Sequence, residues 1–439
     1  MSIDSYIEAV DQIDSYKRYG KIKRVVGLMI ESIGPAVSIG NVCYIHPSKG
    51  SKIAAEVVGF NDENVLLMPY SQISEIGPGS LVEATDKPLT IKVGKRLVGK
   101  VIDALGQPLD HSKLPLGLIN VNTEQMPPNP LDRPRIVEPI ELGVKTIDSL
   151  LTVGKGQRVG IFAGSGVGKS TLLGMIARNS EADINVIALI GERGREVREF
   201  IEKDLGDEGL KRSIVVVATS DQPALMRIKG AYTATAISEY FRDLGYNVNL
   251  MMDSVTRIAM AQREVGLATG EPPTTKGYPP SVFAVLPKLL ERTGTSNFGT
   301  ITAFYTVLVD GDDLNDPIAD TTRGILDGHF VLDRKLAEQG QFPAINVLKS
   351  ISRVMPQITT DQEQKLANDL RYHLSTYEEN YELIQIGAYK RGTSKAIDEA
   401  IQLQPQIISF LKQDINEKCS RDQALQLMKE VLYGGNAND

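Results

Sequence analysis

The sequence has few of the residues that build disulfide frameworks and metal clusters. Its 439 residues include two cysteines, Cys43 and Cys419, which lie far apart and lack the spacing of a metal site. This usage indicates a reducing compartment. Four histidines are scattered along the chain and predict no zinc site: His46, His111, His329 and His373.

The sequence also lacks a long hydrophobic run and an excess of positive charge. No apolar stretch approaches the ~20 residues that a membrane-spanning helix needs. The first residues show neither the basic start nor the apolar segment of a signal peptide. The net charge of −7 argues against a protein whose main partner is nucleic acid. We therefore expect a cytoplasmic protein with peripheral membrane contact at most and no nucleic-acid partner.

The pattern of apolar residues divides the chain into consecutive parts. Residues 1–19 contain an amphipathic helix that packs on its own protein or docks on a partner. Short alternating runs between glycine-rich turns predict a small β-barrel over residues 20–88. Residues 89–355 form the next domain, which begins with a connector over 89–150 and continues with alternating strands and helices. Residues 356–439 read as amphipathic helices, which predicts a helical C-terminal domain.

The predicted barrel is poor in the residues that bind RNA. The range from Gly20 to Lys87 contains six Lys/Arg and seven Asp/Glu, and its only aromatic residues are Tyr44, Phe60 and Tyr70. Barrels that bind RNA stack bases on aromatic side chains beside positive charge. We therefore predict that this barrel serves as an assembly collar.

The most specific pattern is a glycine-rich loop between a predicted strand and a predicted helix. After Ala163 it consists of Gly164, Ser165, Gly166, Val167, Gly168, Lys169, Ser170 and Thr171. Backbone N–H groups of such a loop, and the start of the helix beyond it, bind phosphate. We predict that Lys169 reaches the β- and γ-phosphates of a nucleotide and that Ser170 ligates Mg²⁺. The alternative is a glycine-rich turn with a surface lysine.

Two carboxylates follow predicted strands of the same sheet. Asp253 ends an apolar run, where a strand would deliver it to the Mg²⁺ edge of the phosphate site; the alternative is a cap on the following helix. Glu192 ends the strand after the phosphate-loop helix, where attacking water would sit. Spacing alone leaves open a surface ion pair of Glu192 with Arg193 or Arg195.

Several stretches resemble the catalytic subunits of rotary ATPases. These are residues 191–196, the phosphate loop, and residues 343–346 and 350–353. Within that superfamily the chain resembles the flagellar protein-export ATPases, also called flagellum-specific ATP synthases, nearly from end to end. The stretches that carry this resemblance are residues 14–20, 219–223, 270–278, 318–320, 323–329 and 387–392.

The resemblance implies roles that spacing cannot assign. Glu192 would be the general base or orient the attacking water. Arg193 and Arg257 would approach the γ-phosphate side of the site. Arg353 would be an arginine finger that reaches the neighbouring subunit's site, a contribution worth ~10³–10⁵ in rate. Taken alone, an arginine after Ser-Ile-Ser is more often a surface residue in a salt bridge.

The resemblance also implies how the base of the nucleotide is held. Phe342 would stack on adenine at a position where relatives often carry tyrosine, and stacking survives that change. Tyr389 would close the same pocket. The implied fold is α/β, with a RecA-like P-loop core, a small N-terminal β-barrel and a C-terminal helical domain.

The function implied by the resemblance is Mg²⁺-dependent ATP hydrolysis that energises type III protein export during flagellum assembly. Because Glu192 and Arg353 lie on one chain, a homohexamer would have a complete site at each interface. The implied partners are a stator protein at the N-terminus, a central stalk protein, the export gate, and export chaperones and substrates at the flagellar base. The alternatives are a virulence-type secretion ATPase, a rotary ATP synthase catalytic subunit, a hexameric RNA translocase and a non-catalytic nucleotide-binding subunit.

Overall fold

The computed structural model describes residues 16–73, 75–309 and 313–434. Most of the predicted N-terminal helix, residues 1–19, therefore lies outside the described residues, and Tyr19 already belongs to the first strand. Among the described residues, no helix combines the length and the apolar character needed to cross a bilayer.

The first strands close into a barrel. They are β1 (Tyr19–Val26), β2 (Met29–Ile33), β3 (Asn41–His46), β4 (Ile53–Asn61), β5 (Asn64–Pro69) and β6 (Leu81–Pro88). Their order around the barrel is β1-β2-β5-β4-β3-β6, with antiparallel pairing between neighbours. Alternate side chains such as Ile30, Ile45 and Leu67 fill the interior. Met29, Met68 and Tyr70 instead pack against the core of the next domain.

The remaining strands build the core sheet and a small hairpin. They are β7 (Thr90–Val93), β8 (Val101–Asp103), β9 (Ile119–Asn122), β10 (Arg158–Ala163), β11 (Ile184–Ile190), β12 (Ser213–Ala218), β13 (Asn247–Asp253), β14 (Gly294–Thr295), β15 (Thr300–Leu308), β16 (Gly328–Leu332) and β17 (Ile351–Ser352). The core order is β17-β16-β10-β15-β13-β11-β12-β8, and β14 pairs with β15. Strands β7 and β9 pair separately.

Helices cover this sheet and form the end of the described chain. They are α1 (Lys145–Leu150), α2 (Lys169–Asn179), α3 (Gly194–Glu199), α4 (Gly206–Leu210), α5 (Ala224–Asp243), α6 (Val255–Ala268), α7 (Pro280–Leu290), α8 (Pro317–Ile325), α9 (Arg334–Glu338), α10 (Met355–Ile358), α11 (Asp361–Gln385), α12 (Lys395–Leu411) and α13 (Arg421–Tyr433). A π-helical stretch, Phe200–Leu205, continues α3.

The sheet positions the site because its central strands are parallel. β10, β11, β13 and β15 run in the same direction, so their carboxyl ends meet at one edge. β11 and β12 are buried along their whole length, as expected for strands covered on both faces. The predicted fold class, with barrel, P-loop core and C-terminal helices, is confirmed.

The predicted connector is more deeply built into the core than its sequence suggested. Its strand β8 pairs with β12 and closes that edge of the sheet. Its helix α1 is buried along its whole length and lies against the C-terminal helices. Gln413, just after α12, accepts the N–H of Lys145 at 2.7 Å and donates to the Gly143 carbonyl at 2.9 Å. The connector thus joins the C-terminal helices to the core.

Candidate active site

The phosphate loop lies between the end of β10 and the start of α2. Gly166 and Gly168 have φ angles of 78° and 88°, a region that favours glycine, so these two residues allow the loop to turn tightly. Between them Val167 is buried and anchors the loop to the core. Lys169 then begins α2, so the positive end of the helix faces the loop.

A cleft of about 500 Å³ opens above this loop. Its size is within the range of small-molecule sites. Most of the predicted site residues line it: Gly164, Ser165, Gly166, Gly168, Lys169, Ser170, Thr171, Glu192, Arg193, Asp253 and Arg257. The fold therefore brings together residues that lie up to 93 positions apart, from 164 to 257.

Lys169 is held between the two predicted carboxylates. Its Nζ lies 2.6 Å from Asp253 Oδ1 and 3.4 Å from Glu192 Oε1. Burial would lower the pKa of Lys169, but the two carboxylates raise it above its usual value, so the side chain stays charged. Thr306 on the neighbouring strand β15 donates to Asp253 Oδ1 at 2.7 Å. The carboxylate that ends β13 is therefore fixed in direction.

Glu192 has the proton affinity of a general base. Burial raises its pKa to about 7, with Lys169 opposing the shift and Asp253 adding to it. The side chain of Glu192 also forms a hydrogen bond with Glu196 in α3, which lowers the pKa of Glu196. A base with a pKa near the working pH is well suited to accept a proton from water.

Two arginines face the same cleft from different elements. Arg257 projects from α6, and its side-chain carbons pack so closely on Gly191 that a Cβ there would lie 2.8 Å from Arg257 Cβ. Its Nε is buried and has no hydrogen-bond partner among the described residues. Arg193 is exposed, with Nη1 3.7 Å from Glu196 Oε1. Both arginines line the cleft and bring positive charge to it.

The donor set fits a nucleotide phosphate with Mg²⁺. Loop N–H groups, Lys169 and Arg257 line the cleft and supply positive charge and hydrogen-bond donors. Ser170 and Asp253 offer the hard oxygen ligands that Mg²⁺ prefers, and Mg²⁺ in phosphate sites takes only one or two protein carboxylates. These residues are the ones that would hold the ion.

Phe342 lies next to the phosphate loop. Its ring comes within 3.5 Å of the position a Cβ on Gly168 would occupy, and the side chain is 45% exposed. The N–H of Gln413 donates to the Phe342 carbonyl at 2.9 Å and holds this segment. An exposed ring beside the loop has the right place for stacking on a base.

Tyr389 lies elsewhere, in the turn between α11 and α12. Its hydroxyl is 2.9 Å from the Ser394 carbonyl and 3.0 Å from Asp398 Oδ1, so the ring fastens the turn. The cleft of the same subunit is lined without Tyr389. The predicted closing of the pocket by this residue finds no support within one subunit.

Arg353 is also remote from the cleft of its own subunit. It follows β17 beside the beginning of β16, at the edge of the sheet opposite to the carboxyl end of β10. Its side chain is exposed, which fits a residue that acts outside its own subunit.

Two residues of the site were missed in the sequence. Thr306 has no local pattern that ties it to Asp253, since only the pairing of β13 with β15 brings them together. Glu196 did have a signal, because it is the last residue of the stretch 191–196 that carries the resemblance to rotary ATPases.

Family models match three separate stretches of the chain. The nucleotide-binding domain of the ATP synthase alpha/beta family matches residues 143–352, and the β-barrel domain of that family matches residues 22–86. The T3SS EscN ATPase C-terminal domain matches residues 359–430.

The most similar curated relatives are ATPases of flagellar and type 3 secretion systems. The flagellum-specific ATP synthase of Bacillus subtilis is 69% identical over 433 residues, which cover 98% of this chain and 99% of the relative. This chain belongs to the family of flagellum-specific ATP synthases and type 3 secretion ATPases. The flagellum-specific ATP synthase of Salmonella typhimurium is 46% identical, covering 98% of this chain and 97% of the relative. The type 3 secretion system ATPase of Xanthomonas euvesicatoria is 49% identical, covering 94% of each.

Solved structures agree with this assignment. The assembled ATPase EscN of the enteropathogenic E. coli type III secretion system matches with a TM-score of 0.89 and 46% identity, covering 94% of this chain and 100% of that chain. EscN in complex with its central stalk EscO matches with a TM-score of 0.87 and 45% identity, with the same coverage. The resemblance expected from the sequence is therefore confirmed.

Proposed function

We propose that this chain is a Mg²⁺-dependent ATPase that assembles into a homohexameric ring and energises type III protein export for flagellum assembly. The observation that carries the chemistry is Lys169, held at the phosphate loop between Asp253 and Glu192. Glu192 adds a carboxyl whose pKa lies near 7 on the same side of the cleft. These are the parts that phosphate binding, metal binding and water activation require.

Each residue has a defined task in the proposed reaction. The loop N–H groups of residues 164–168 and Lys169 bind the phosphates and balance their charge. Ser170 and Asp253 hold Mg²⁺, which when bound neutralises the charge that develops on the phosphate oxygens. Glu192 orients water and accepts its proton, while Arg193 and Arg257 stabilise the γ-phosphate.

The ring completes the site. Arg353 lies away from its own cleft and is exposed, so it is free to serve the site of the neighbouring subunit. Since one chain supplies both Glu192 and Arg353, identical subunits give every interface a base and a finger. The related EscN of enteropathogenic E. coli has been solved as an assembled ATPase, which supports the same organisation here. Hydrolysis therefore requires assembly.

Among the partners proposed for this chain, the central stalk is supported by a solved relative, and the others are those that the sequence resemblance implies. A related ATPase is solved with its central stalk, and we assign this chain a stalk partner of the same kind. The N-terminal segment would be held by a stator protein, and the ring would meet the export gate, chaperones and substrates at the cytoplasmic base of the flagellum. The C-terminal helices face the stalk and the gate.

A virulence-type secretion ATPase is the second candidate because such proteins are 47–49% identical to this chain. The higher identity to the Bacillus subtilis protein, 69%, favours the flagellar role. Deletion of the gene should abolish motility and external flagella. Normal flagella with loss of another secretion activity would assign the chain to the virulence branch.

The biochemical test is phosphate release by the purified chain with Mg²⁺ and ATP over a range of protein concentrations. Turnover per subunit should rise cooperatively with concentration and fall to background in Lys169→Ala. A matched control is Lys211→Ala, which removes an exposed lysine paired with Glu208 and should leave turnover unchanged. Turnover that stays near zero at every concentration would contradict a self-sufficient ring.

A further inference from the structure

A group of charged side chains lies at the end of β10 that is remote from the phosphate loop. Arg158 begins this strand, and its guanidinium binds the Asp327 carboxylate twice, with Nε–Oδ2 at 3.0 Å and Nη2–Oδ1 at 3.1 Å. The backbone N–H of Arg158 donates to the same Oδ2 at 3.1 Å. Glu291, after α7, adds an ion pair with Arg158 on the other side of the guanidinium, with Nη1–Oε1 at 2.5 Å. Paired contacts of this kind fix the direction of both partners.

Asp327 holds Arg353 through the main chain. Its carbonyl accepts the backbone N–H of Arg353 at 3.0 Å, and the neighbouring Leu326 carbonyl accepts Arg353 Nη1 at 3.3 Å. In the described part of the chain, no carboxylate pairs with the Arg353 guanidinium. The direction in which the Arg353 side chain points away from its subunit therefore depends on the segment that contains Asp327.

That segment is tightly packed. The buried Gln157 donates from Nε2 to the Asp327 carbonyl at 3.2 Å and to Ser352 Oγ at 3.1 Å. Gly328 admits no side chain, because a Cβ there would lie 2.7 Å from the Ile351 carbonyl oxygen. Strands β16 and β17 are thus held against the start of β10, and a change at Asp327 reaches Arg353 with little room to relax.

We propose that Asp327 is a positioning residue for the arginine finger. Clamped by Arg158, it sets the direction of Arg353 and fastens the finger to β10, the strand that carries the phosphate loop at its other end. A displacement of β10 at the phosphate loop then moves the anchor of the finger that serves the neighbouring site. This inference rests on the proposed action of Arg353 across the interface.

The first test is Asp327→Asn, which keeps the shape of the side chain and removes its charge. We expect kcat to fall by about 10- to 100-fold, a loss typical of misplacement, and less than the ~10³-fold or more expected for Arg353→Ala. KM for ATP should stay unchanged because Asp327 does not line the cleft. The matched control is Asp243→Asn, which removes a half-exposed carboxylate paired with Arg242 at 2.8 Å and should leave kcat unchanged.

Mixed rings show on which side of the interface Asp327 acts. Glu192→Ala subunits lack the base but present an intact finger, so mixing them with Asp327→Asn subunits should raise turnover above the weighted sum of the two. Mixing Asp327→Asn with Arg353→Ala should give no gain, because every finger in such a ring is defective. Arg158→Lys keeps the positive charge but loses the paired contact with Asp327. It should give the same mixing results as Asp327→Asn.

Each other outcome overturns the inference. A gain with Arg353→Ala but not with Glu192→Ala would place the defect in the subunit's own cleft. A gain with neither partner would mean that the variant damages the whole subunit. Mixing Glu192→Ala with Arg353→Ala tests the action of Arg353 across the interface separately from the role of Asp327. If turnover recovers in that mixture but not in the mixture of Asp327→Asn with Glu192→Ala, only the role of Asp327 is overturned. No recovery in the mixture of Glu192→Ala with Arg353→Ala overturns the action of Arg353 across the interface as well.

Discussion

Lys229 in the core and Glu56 in the barrel form a buried ion pair, with Nζ–Oε2 at 2.8 Å. Only 3% of the Lys229 residue is exposed, and 7% of Glu56. Glu124, after β9, also contacts Lys229, and Tyr70 donates to Glu56 Oε2 at 2.5 Å. Burial would lower the pKa of Lys229, but the two carboxylates raise it above its usual value. Barrel and core are thus held together by charge in a water-poor contact.

Removing this lysine should destabilise the protein strongly. Lys229→Met leaves the Glu56 carboxylate buried without its partner, which costs about 3–5 kcal/mol and should appear as a lower Tm. The double variant Lys229→Met/Glu56→Gln should be more stable than Lys229→Met alone, since no buried charge is left unpaired. Lys211→Met, which removes an exposed pair, is the control and should change stability by less than about 0.5 kcal/mol. Equal Tm values for Lys229→Met and the double variant would contradict this account.

The pH dependence of turnover should report Glu192. A base must be ionised to accept a proton, and its pKa is about 7, so kcat/KM should rise as pH increases through 7. Glu192→Gln should lower kcat by about 10²–10⁴-fold. Glu196→Gln removes a carboxylate that raises the pKa of Glu192, so the acid limb should move to lower pH. Glu199→Gln, whose exposed carboxylate pairs with Arg195, should leave the limb in place.

Phe342 should contribute to nucleotide affinity without affecting the chemical step. Stacking of a base on an aromatic ring is worth about 1–3 kcal/mol, so Phe342→Ala should raise KM for ATP by about tenfold or more at nearly constant kcat. Phe342→Tyr keeps the ring and should keep the affinity. The control is Phe298→Ala, which removes an exposed ring from the turn before β15, at the edge of the sheet opposite to the phosphate loop. An unchanged KM in Phe342→Ala would show that the ring does not stack on the base.

The site residues that the sequence predicted are those placed by the order of strand, loop and helix along the chain. A glycine loop between strand and helix places Lys169 at the first position of α2 by local sequence order alone. Asp253 and Glu192 follow parallel strands, and the carboxyl ends of such strands meet at one edge of a sheet. Strand β13 ends at Asp253, as the apolar run indicated. The roles of these residues stay predictions until the variants are measured.

The contacts that escaped prediction join residues distant in sequence. Arg158 and Asp327 are 169 positions apart, and nothing near either residue marks the other as its partner. The bond from Thr306 to Asp253 depends on the pairing of β15 with β13. Tyr389 carried a motif, but its hydroxyl bonds to Ser394 and Asp398 keep it in a turn of the C-terminal helices. Such pairings are set by tertiary packing, and the periodicity of apolar residues in the sequence gives no information about it.

The pairing of β8 with β12 determines where a fragment of the nucleotide-binding core has to begin if it is to be produced alone. β12 is buried along its whole length, and the residues of β8 cover its free hydrogen-bonding edge. A fragment that begins at residue 143, where the family model for this domain starts, would lose β8 and leave the apolar strand β12 at the edge of the sheet. Edges of this kind pair with other chains and aggregate. A soluble isolated core therefore has to begin before Val101, at the cost of retaining part of the connector.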